Sequence, residues 1–270
     1  MRRKEVHIFT CGVSVLDNLI RKYEGKRSEL ITRLGRQLKE GRDINELVGG
    51  LDDSELERLR KIATEYIKER PEEASAEIKA FIRYLGKRGL SVENAGELVK
   101  KVYLLVSNTR AGMLAGEVIK EYLRGINVPT STLTITGFER MDFKEALKEL
   151  KREIKPLIGA FKKVVLNLTG GFKPEIAVLS AMAAENGLSS YYIYRGAEDV
   201  VELPVNHITL KLKNIANLRD LLMVVLGSVL SILDTVSPLT PPTMILHTII
   251  MKLLIIVTLT MLGVRARLRS

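Results

Sequence analysis

Three short stretches gather the side chains best able to engage an anion. They are Thr10-Cys11-Gly12-Val13-Ser14, Ser107-Asn108-Thr109-Arg110-Ala111-Gly112 and Thr169-Gly170-Gly171-Phe172-Lys173-Pro174. Each is small, hydroxyl-rich or glycine-rich, so each offers backbone N–H groups and hydroxyls at close range. The last two precede helical patterns, and helix N-termini favour phosphate. Arg110 and Lys173 add fixed positive charge. A lysine at the positive end of a helix is unfavourable without an anion beside it. Each member has a plainer reading alone: Ser14 as a helix cap, Arg110 as surface charge, Thr169-Gly170-Gly171 as a tight turn, Lys173 as a solvated lysine. Cys11 reads as a small buried residue at a strand end, and His7 as a core or edge residue of its strand. Together they predict an anion cradle suited to a polyanionic nucleotide.

Other chemistries lack their residues. There is no G-x-x-x-x-G-K-[ST] loop and no G-x-G-x-x-G after a strand. Gly112-x-x-x-Gly116 falls within a helical pattern and reads as a close-packing pair. The sequence shows no paired-carboxylate or His–carboxylate arrangement for hydrolysis. One cysteine, Cys11, and three scattered histidines, His7, His207 and His247, argue against a disulfide framework, a cysteine zinc site or a histidine metal centre. Catalysis here is expected to need no metal and no cofactor. Net charge is +10, which favours an anionic partner. The excess forms no stripe or recognition-helix signature, so no stable DNA partner is expected. Tryptophan is absent and aromatics are 5% of residues, so stacking platforms for single strands are scarce.

The elements that must position these loops follow from periodicity. Val6–Thr10 reads as a first strand and Val15–Tyr23 as a helix. Residues 25–100 are helical in pattern, with Ser54-Glu55-Leu56-Glu57 as a capping box and Ile78, Phe81, Ile82 and Leu85 on one apolar face, closed by Gly86 or Gly89. That stretch carries dense charge and no site-like cluster, so it reads as a scaffold insertion. Strands then alternate with helices: strands at 101–106, 131–135, 163–168 and 191–194, and helices at 113–123, from Asp142, and at 175–185. Residues 200–203 and 207–212 read as a closing hairpin. The expected fold class is α/β: a Rossmann-like, mostly parallel sheet with a helical insertion after the first strand, plus a C-terminal hydrophobic helical hairpin. The expected domains are 1–212 and 213–270.

A first strand ending in Thr-Cys-Gly-x-Ser, a long helical insertion, Ser-Asn-Thr-x-Ala-Gly before a helix, and Asn-Leu-Thr-Gly-Gly-Phe-Lys-Pro before another resemble the CRISPR-associated Rossmann-fold (CARF) proteins, in their archaeal ring-nuclease branch. The resemblance spans about residues 5–212, and Thr-Gly-Gly-Phe-Lys is its most specific element. It implies a homodimer whose two sheets share a pocket for cyclic tetra-adenylate, the second messenger of type III CRISPR antiviral defence. It implies cleavage served by a first-loop serine and a lysine after the glycine turn, which fall on Ser14 and Lys173. The ligand-binding positions would be Thr10, Cys11, Gly12, Ser107, Asn108, Thr109, Arg110, Gly112, Thr169, Gly170, Gly171 and Phe172.

The tail departs from that branch, which commonly ends in a winged-helix domain. Between Leu221 and Gly263 the only charged residues are Asp234 and Lys252. Apolar runs at 221–233 and 244–264 flank Ser237-Pro238-Leu239-Thr240-Pro241-Pro242. Basic residues on both flanks predict a membrane hairpin with both ends in the cytoplasm, as in CARF–transmembrane effectors. A buried helical pair in a dimer interface and an aberrant tail remain alternatives. Only five apolar-leaning residues follow the basic N-terminus, fewer than a secretory signal needs. The CARF-like domain is therefore expected in the cytoplasm, with membrane association through 221–264.

Overall fold

A computed structural model describes residues 4–23, 25, 28–137, 143–194 and 196–203. The chain opens with β1 (Glu5–Thr10) and α1 (Ser14–Tyr23). Six helices follow: α2 (Glu29–Lys39), α3 (Ile44–Gly49), α4 (Asp53–Glu69), α5 (Pro71–Ala74), α6 (Ala76–Gly86) and α7 (Ala95–Leu98). Then come β2 (Val99–Ser107), α8 (Arg110–Gly125), β3 (Thr130–Ile135), α9 (Phe143–Ala160), β4 (Val164–Asn167), α10 (Lys173–Asn186), β5 (Ser189–Tyr192) and β6 (Val201–Leu203). The strands form one sheet in the order β3-β2-β1-β4-β5-β6, parallel throughout except at the β5–β6 edge. This is the Rossmann-like α/β architecture expected, with the helical insertion after the first strand.

Alternation along β1 divides the core. Phe9 and Cys11 face a cluster with Leu16 and Leu19 of α1, Leu59 of α4, Phe81 of α6 and Val118 of α8. Ile8 faces the other side, against Leu150 and Ile154 of α9 and Leu179 of α10. The insertion therefore lies on the same face as α1 and α8, where it can reach the loops beyond β1 and β2.

Some boundaries differ from the sequence reading. The capping box of α4 is formed by Asp52 and Glu55, not Ser54 and Glu57: the Glu55 N–H donates to Asp52 Oδ1 at 2.8 Å, and the Asp52 N–H to Glu55 Oε2 at 3.4 Å. The helix accordingly starts at Asp53, one residue before the serine read as its cap. The fifth strand is Ser189–Tyr192 rather than 191–194, because Ser189 and Ser190 pair with Val165 and Leu166 despite their weak strand character. Val201–Leu203 does form an antiparallel edge, but its partner is β5. The second arm predicted at 207–212 and the hydrophobic hairpin at 213–270 lie outside the described residues. Among the described residues no helix is long and apolar enough to cross a membrane.

Candidate functional site

The chain runs from β1 outward to β2 on one side, and β4 lies against β1 on the other. Crevices beyond such a switch point are where open α/β sheets bind ligands. The loops after β1 and β4 meet there: a Cβ added to Gly12 would lie 3.2 Å from the Gly171 N atom. Thr10 Oγ1 donates to the Asn167 carbonyl at 3.2 Å, tying the two strand ends together. Asn167, fully buried, donates from Nδ2 to the Glu77 carbonyl at 2.9 Å and accepts from the Thr169 N–H at 3.2 Å.

The first loop is not an open anion cradle. The Glu77 carboxylate, on the first turn of α6 and 0% exposed, already occupies it. Glu77 Oε1 accepts the Gly12 N–H at 2.8 Å, and Oε2 accepts the hydroxyls of Ser14 at 2.9 Å and Ser75 at 2.7 Å. Three donors and the N-terminus of α6 solvate the carboxylate there. Cys11 is buried in the core, and burial raises its thiol pKa.

The second loop is likewise spent on internal bonds. Thr109 caps α8 by accepting the Gly112 N–H at 2.9 Å, and its hydroxyl donates to Asn45 Oδ1 at 3.0 Å. Ser107 Oγ lies 3.1 Å from Thr109 Oγ1. Arg110 does not stand free as a positive charge: it donates to the carbonyls of Gly49 at 3.3 Å and Leu51 at 2.6 Å, and pairs with Asp53 at 2.7 Å. The carbonyls of Gly49, at the end of α3, and of Leu51, just past its cap, hold the guanidinium against this segment. Asn108 is exposed and has no side-chain partner among the described residues. Gly112 and Gly116 do serve close packing, since a Cβ on Gly116 would fall 2.5 Å from Val106 Cγ1.

The third loop remains available. Gly171 has φ +86°, and a Cβ there would meet Glu175 Oε2 at 2.6 Å and Thr10 Cβ at 2.9 Å. A Cβ on Gly170 would overlap Glu77 Oε1. Two glycines are thus required for this turn to pass between two carboxyl groups. The N–H groups of Gly170, Gly171 and Lys173 have no hydrogen-bond partner among the described residues. Lys173 opens α10, is exposed, and has no ion pair among them. Thr169 Oγ1 accepts the Ile193 N–H at 3.2 Å, fixing the turn to the end of β5. Phe172, the N-cap of α10, is 38% exposed. Its N–H donates to Glu175 Oε2 at 3.3 Å. Burial pushes the Glu175 carboxyl up to about 8, partly offset by that bond, so at neutral pH it adds little negative charge to the turn.

Two carboxyl arrangements appear here that the sequence did not show. Glu77 and Glu175 flank the glycine turn as a pair of buried carboxyls, brought together from residues far apart in the chain. A His–carboxylate pair also exists: His7 Nε2 lies 3.0 Å from Glu5 Oε2. It sits towards the other end of β1, where Tyr84 donates to Glu5 at 2.8 Å and Lys163 pairs with it at 2.6 Å. Burial raises the Glu5 pKa, but the bonds from His7, Lys163 and Tyr84 outweigh it and hold the carboxyl down at about 2. Burial depresses the His7 pKa, so the ring is neutral, with Tyr191 OH 3.3 Å from Nδ1. This core network is remote from the loops, and His7 is the core histidine the sequence suggested. Nor is the insertion merely scaffold, since it supplies Glu77, Asn45 and the carbonyls that hold Arg110. Sequence reasoning missed Glu77 because Ser75-x-Glu77 looks like any acidic first turn after a serine cap. Glu175 was legible only as the first residue of the helix read at 175–185, which in fact starts at Lys173. Among the described residues no group of three or more His, Cys, Asp or Glu side chains is placed to hold a metal ion.

Fold and loops together define a Rossmann-like α/β domain with glycine-turn and helix-terminal N–H groups open at the carboxyl end of its sheet. Residues 72–206, half of the chain, match the family model described as CRISPR-associated protein (Cas_APE2256). The chain belongs to that CRISPR-associated family. The matched region contains α6 with Glu77, the loop after β2 and the glycine turn, while the first loop lies before it.

Proposed function

We propose that this protein, as a homodimer, binds cyclic tetra-adenylate and cleaves it without a metal, as a ring nuclease of type III CRISPR defence. The observation that carries the reading is the glycine turn: three N–H groups and a lysine at the start of a helix, none with a partner among the described residues, against the loop that bears Ser14. Such a group attracts a phosphodiester and stabilises charge that develops on it. In the reaction a ribose 2′-oxygen bonds to the adjacent phosphorus and the P–O5′ bond breaks. The products are a 2′,3′-cyclic phosphate and a 5′-hydroxyl. In this reading Lys173 neutralises the phosphate and protonates the leaving 5′-oxygen, and Ser14 orients the attacking ribose. A four-fold repeated ring matches a two-fold protein dimer, which offers one such turn from each subunit.

The test is incubation of the purified protein with labelled cyclic tetra-adenylate in EDTA, beside Lys173→Ala. Linear products from wild type and none from the variant support the proposal. An intact ring with wild type refutes cleavage, and the absence of binding refutes the ligand. A second reading rests on the apolar runs at 221–233 and 244–264: a sensor whose ligand-bound dimer controls a membrane hairpin. Fractionation tests it, since carbonate-resistant sedimentation with membranes is required and recovery in the soluble fraction excludes it.

A further inference from the structure

The way Glu77 holds Ser14 goes beyond a fixed loop. A carboxylate only accepts hydrogen bonds, so the hydrogen between Ser14 Oγ and Glu77 Oε2, 2.9 Å apart, belongs to the serine and points at Glu77. The hydroxyl therefore cannot also donate to a phosphate. What half-buried Ser14 turns towards a ligand is a lone pair, and the group that seeks a lone pair is another hydroxyl. Gly12 N–H at 2.8 Å and Ser75 Oγ at 2.7 Å clamp the carboxylate, and its 0% exposure keeps water from replacing the serine. Gly170 is the second constraint. Because its missing Cβ would overlap Glu77 Oε1, the carboxylate and the open N–H groups of the turn share one small volume.

We propose that Glu77 is the proton sink of the cleavage reaction, acting through Ser14; the inference rests on the ring-nuclease reading. The ribose 2′-hydroxyl donates to Ser14 Oγ. As the 2′-oxygen bonds to phosphorus, its proton passes to Ser14 Oγ while the serine's own proton passes to Glu77 Oε2. The P–O5′ bond breaks, and the 5′-oxygen takes a proton from Lys173. Both side chains recover their starting states by exchange with water after product leaves, so protons and electrons balance. Glu77 does not touch the substrate and is a positioning residue, while Ser14 is the catalytic one.

The experiment compares wild type, Glu77→Gln, Ser14→Ala and the double variant by single-turnover cleavage of cyclic tetra-adenylate, with calorimetric affinity for the same ring. Glutamine keeps the shape and can satisfy Gly12 N–H through its carbonyl, but its amide donates to Ser14 and turns the serine hydrogen outward. The expected result is a rate at least about 100-fold lower in Glu77→Gln with affinity within about threefold of wild type. Adding Ser14→Ala should then cost nothing more, because one relay is already broken. A Glu77→Gln rate within about threefold of wild type overturns the relay, as do additive losses in the double variant. If Glu77→Gln does not fold, Ser14→Ala carries the test alone, since it leaves Gly12 N–H and Ser75 on Glu77: undiminished cleavage overturns the relay. If wild type itself leaves the ring intact, the ring-nuclease reading fails first, and that outcome is distinct.

Discussion

Glu175→Gln tests the electrostatics of the glycine turn. In the folded chain burial raises the Glu175 pKa from 4.5 to about 8. Its folded pKa thus lies above the unfolded value, so the unfolded state releases its proton first as pH rises. Stability from this carboxyl is complete below about pH 4.5 and is lost as pH rises to about 8. A full unit of slope is about 1.4 kcal/mol, and between pH 5 and pH 8 the loss comes to roughly 3–4 kcal/mol. Above pH 6.5 the neighbouring buried titrations do not mask it. Glu5, held at about 2, is ionised in both states throughout that window. His7, with its pKa depressed, loses stability only as pH falls below its unfolded value near 6.5, which has the opposite sign. Glutamine keeps an acceptor for the Phe172 N–H and removes the ionisation. Urea unfolding at several pH values should show wild type weakening between pH 6.5 and 8 while Glu175→Gln stays level. Cyclic tetra-adenylate affinity should follow the same pattern above pH 8, where an ionised Glu175 beside Gly171 opposes the phosphate. Parallel stability curves for the two proteins would show that Glu175 is not the buried neutral acid described, and would remove the reason for an uncancelled positive turn.

Three further outcomes follow from the contacts. Gly170→Ala places a methyl on Glu77 Oε1, so it should cost about 1–3 kcal/mol of stability and abolish cleavage together; a well-folded, fully active variant would contradict the packing. Tyr84→Phe removes the donor 2.8 Å from buried Glu5, and a loss of about 1–3 kcal/mol at pH 7 is expected, shrinking as pH falls from 4.5 towards 2, where Glu5 protonates; thermal and urea unfolding at both pH values measure it. Arg110→Ala frees the segment after α3 rather than a ligand phosphate, so it should lower stability by about 1 kcal/mol or more while weakening ligand affinity far less than Lys173→Ala; calorimetry on the two variants decides.

Much of the architecture was legible because periodicity and local chemistry are short-range. The apolar strand 163–168, the alternation of strands and helices from residue 101, and the glycine turn before Lys173-Pro174 each carry their signal within a few neighbouring residues. So did the placing of His7 and Cys11 in the core, and the packing role of Gly112 and Gly116. Strand limits such as Ser189–Tyr192 were less legible, since pairing with β4 outweighs the weak strand preference of two serines.

The sequence by itself determined which residues offer hydroxyls, N–H groups and charge, and that they stand at strand ends. Only the tertiary structure decided which of those groups are spent. Arg110 turned out to be held by the carbonyls of Gly49 and Leu51 at and just past the end of α3, and the Gly12 and Ser14 donors by Glu77, more than sixty positions away in the chain. The reason is physical. A donor's availability depends on what else competes for it, and a competitor brought close by folding a helical layer onto a sheet leaves no local trace in the sequence. Among the described residues the N–H groups of Gly170 and Gly171 stay without a partner for the same reason inverted: their neighbours, Glu77 and Glu175, are already engaged with Gly12, Ser14, Ser75 and Phe172.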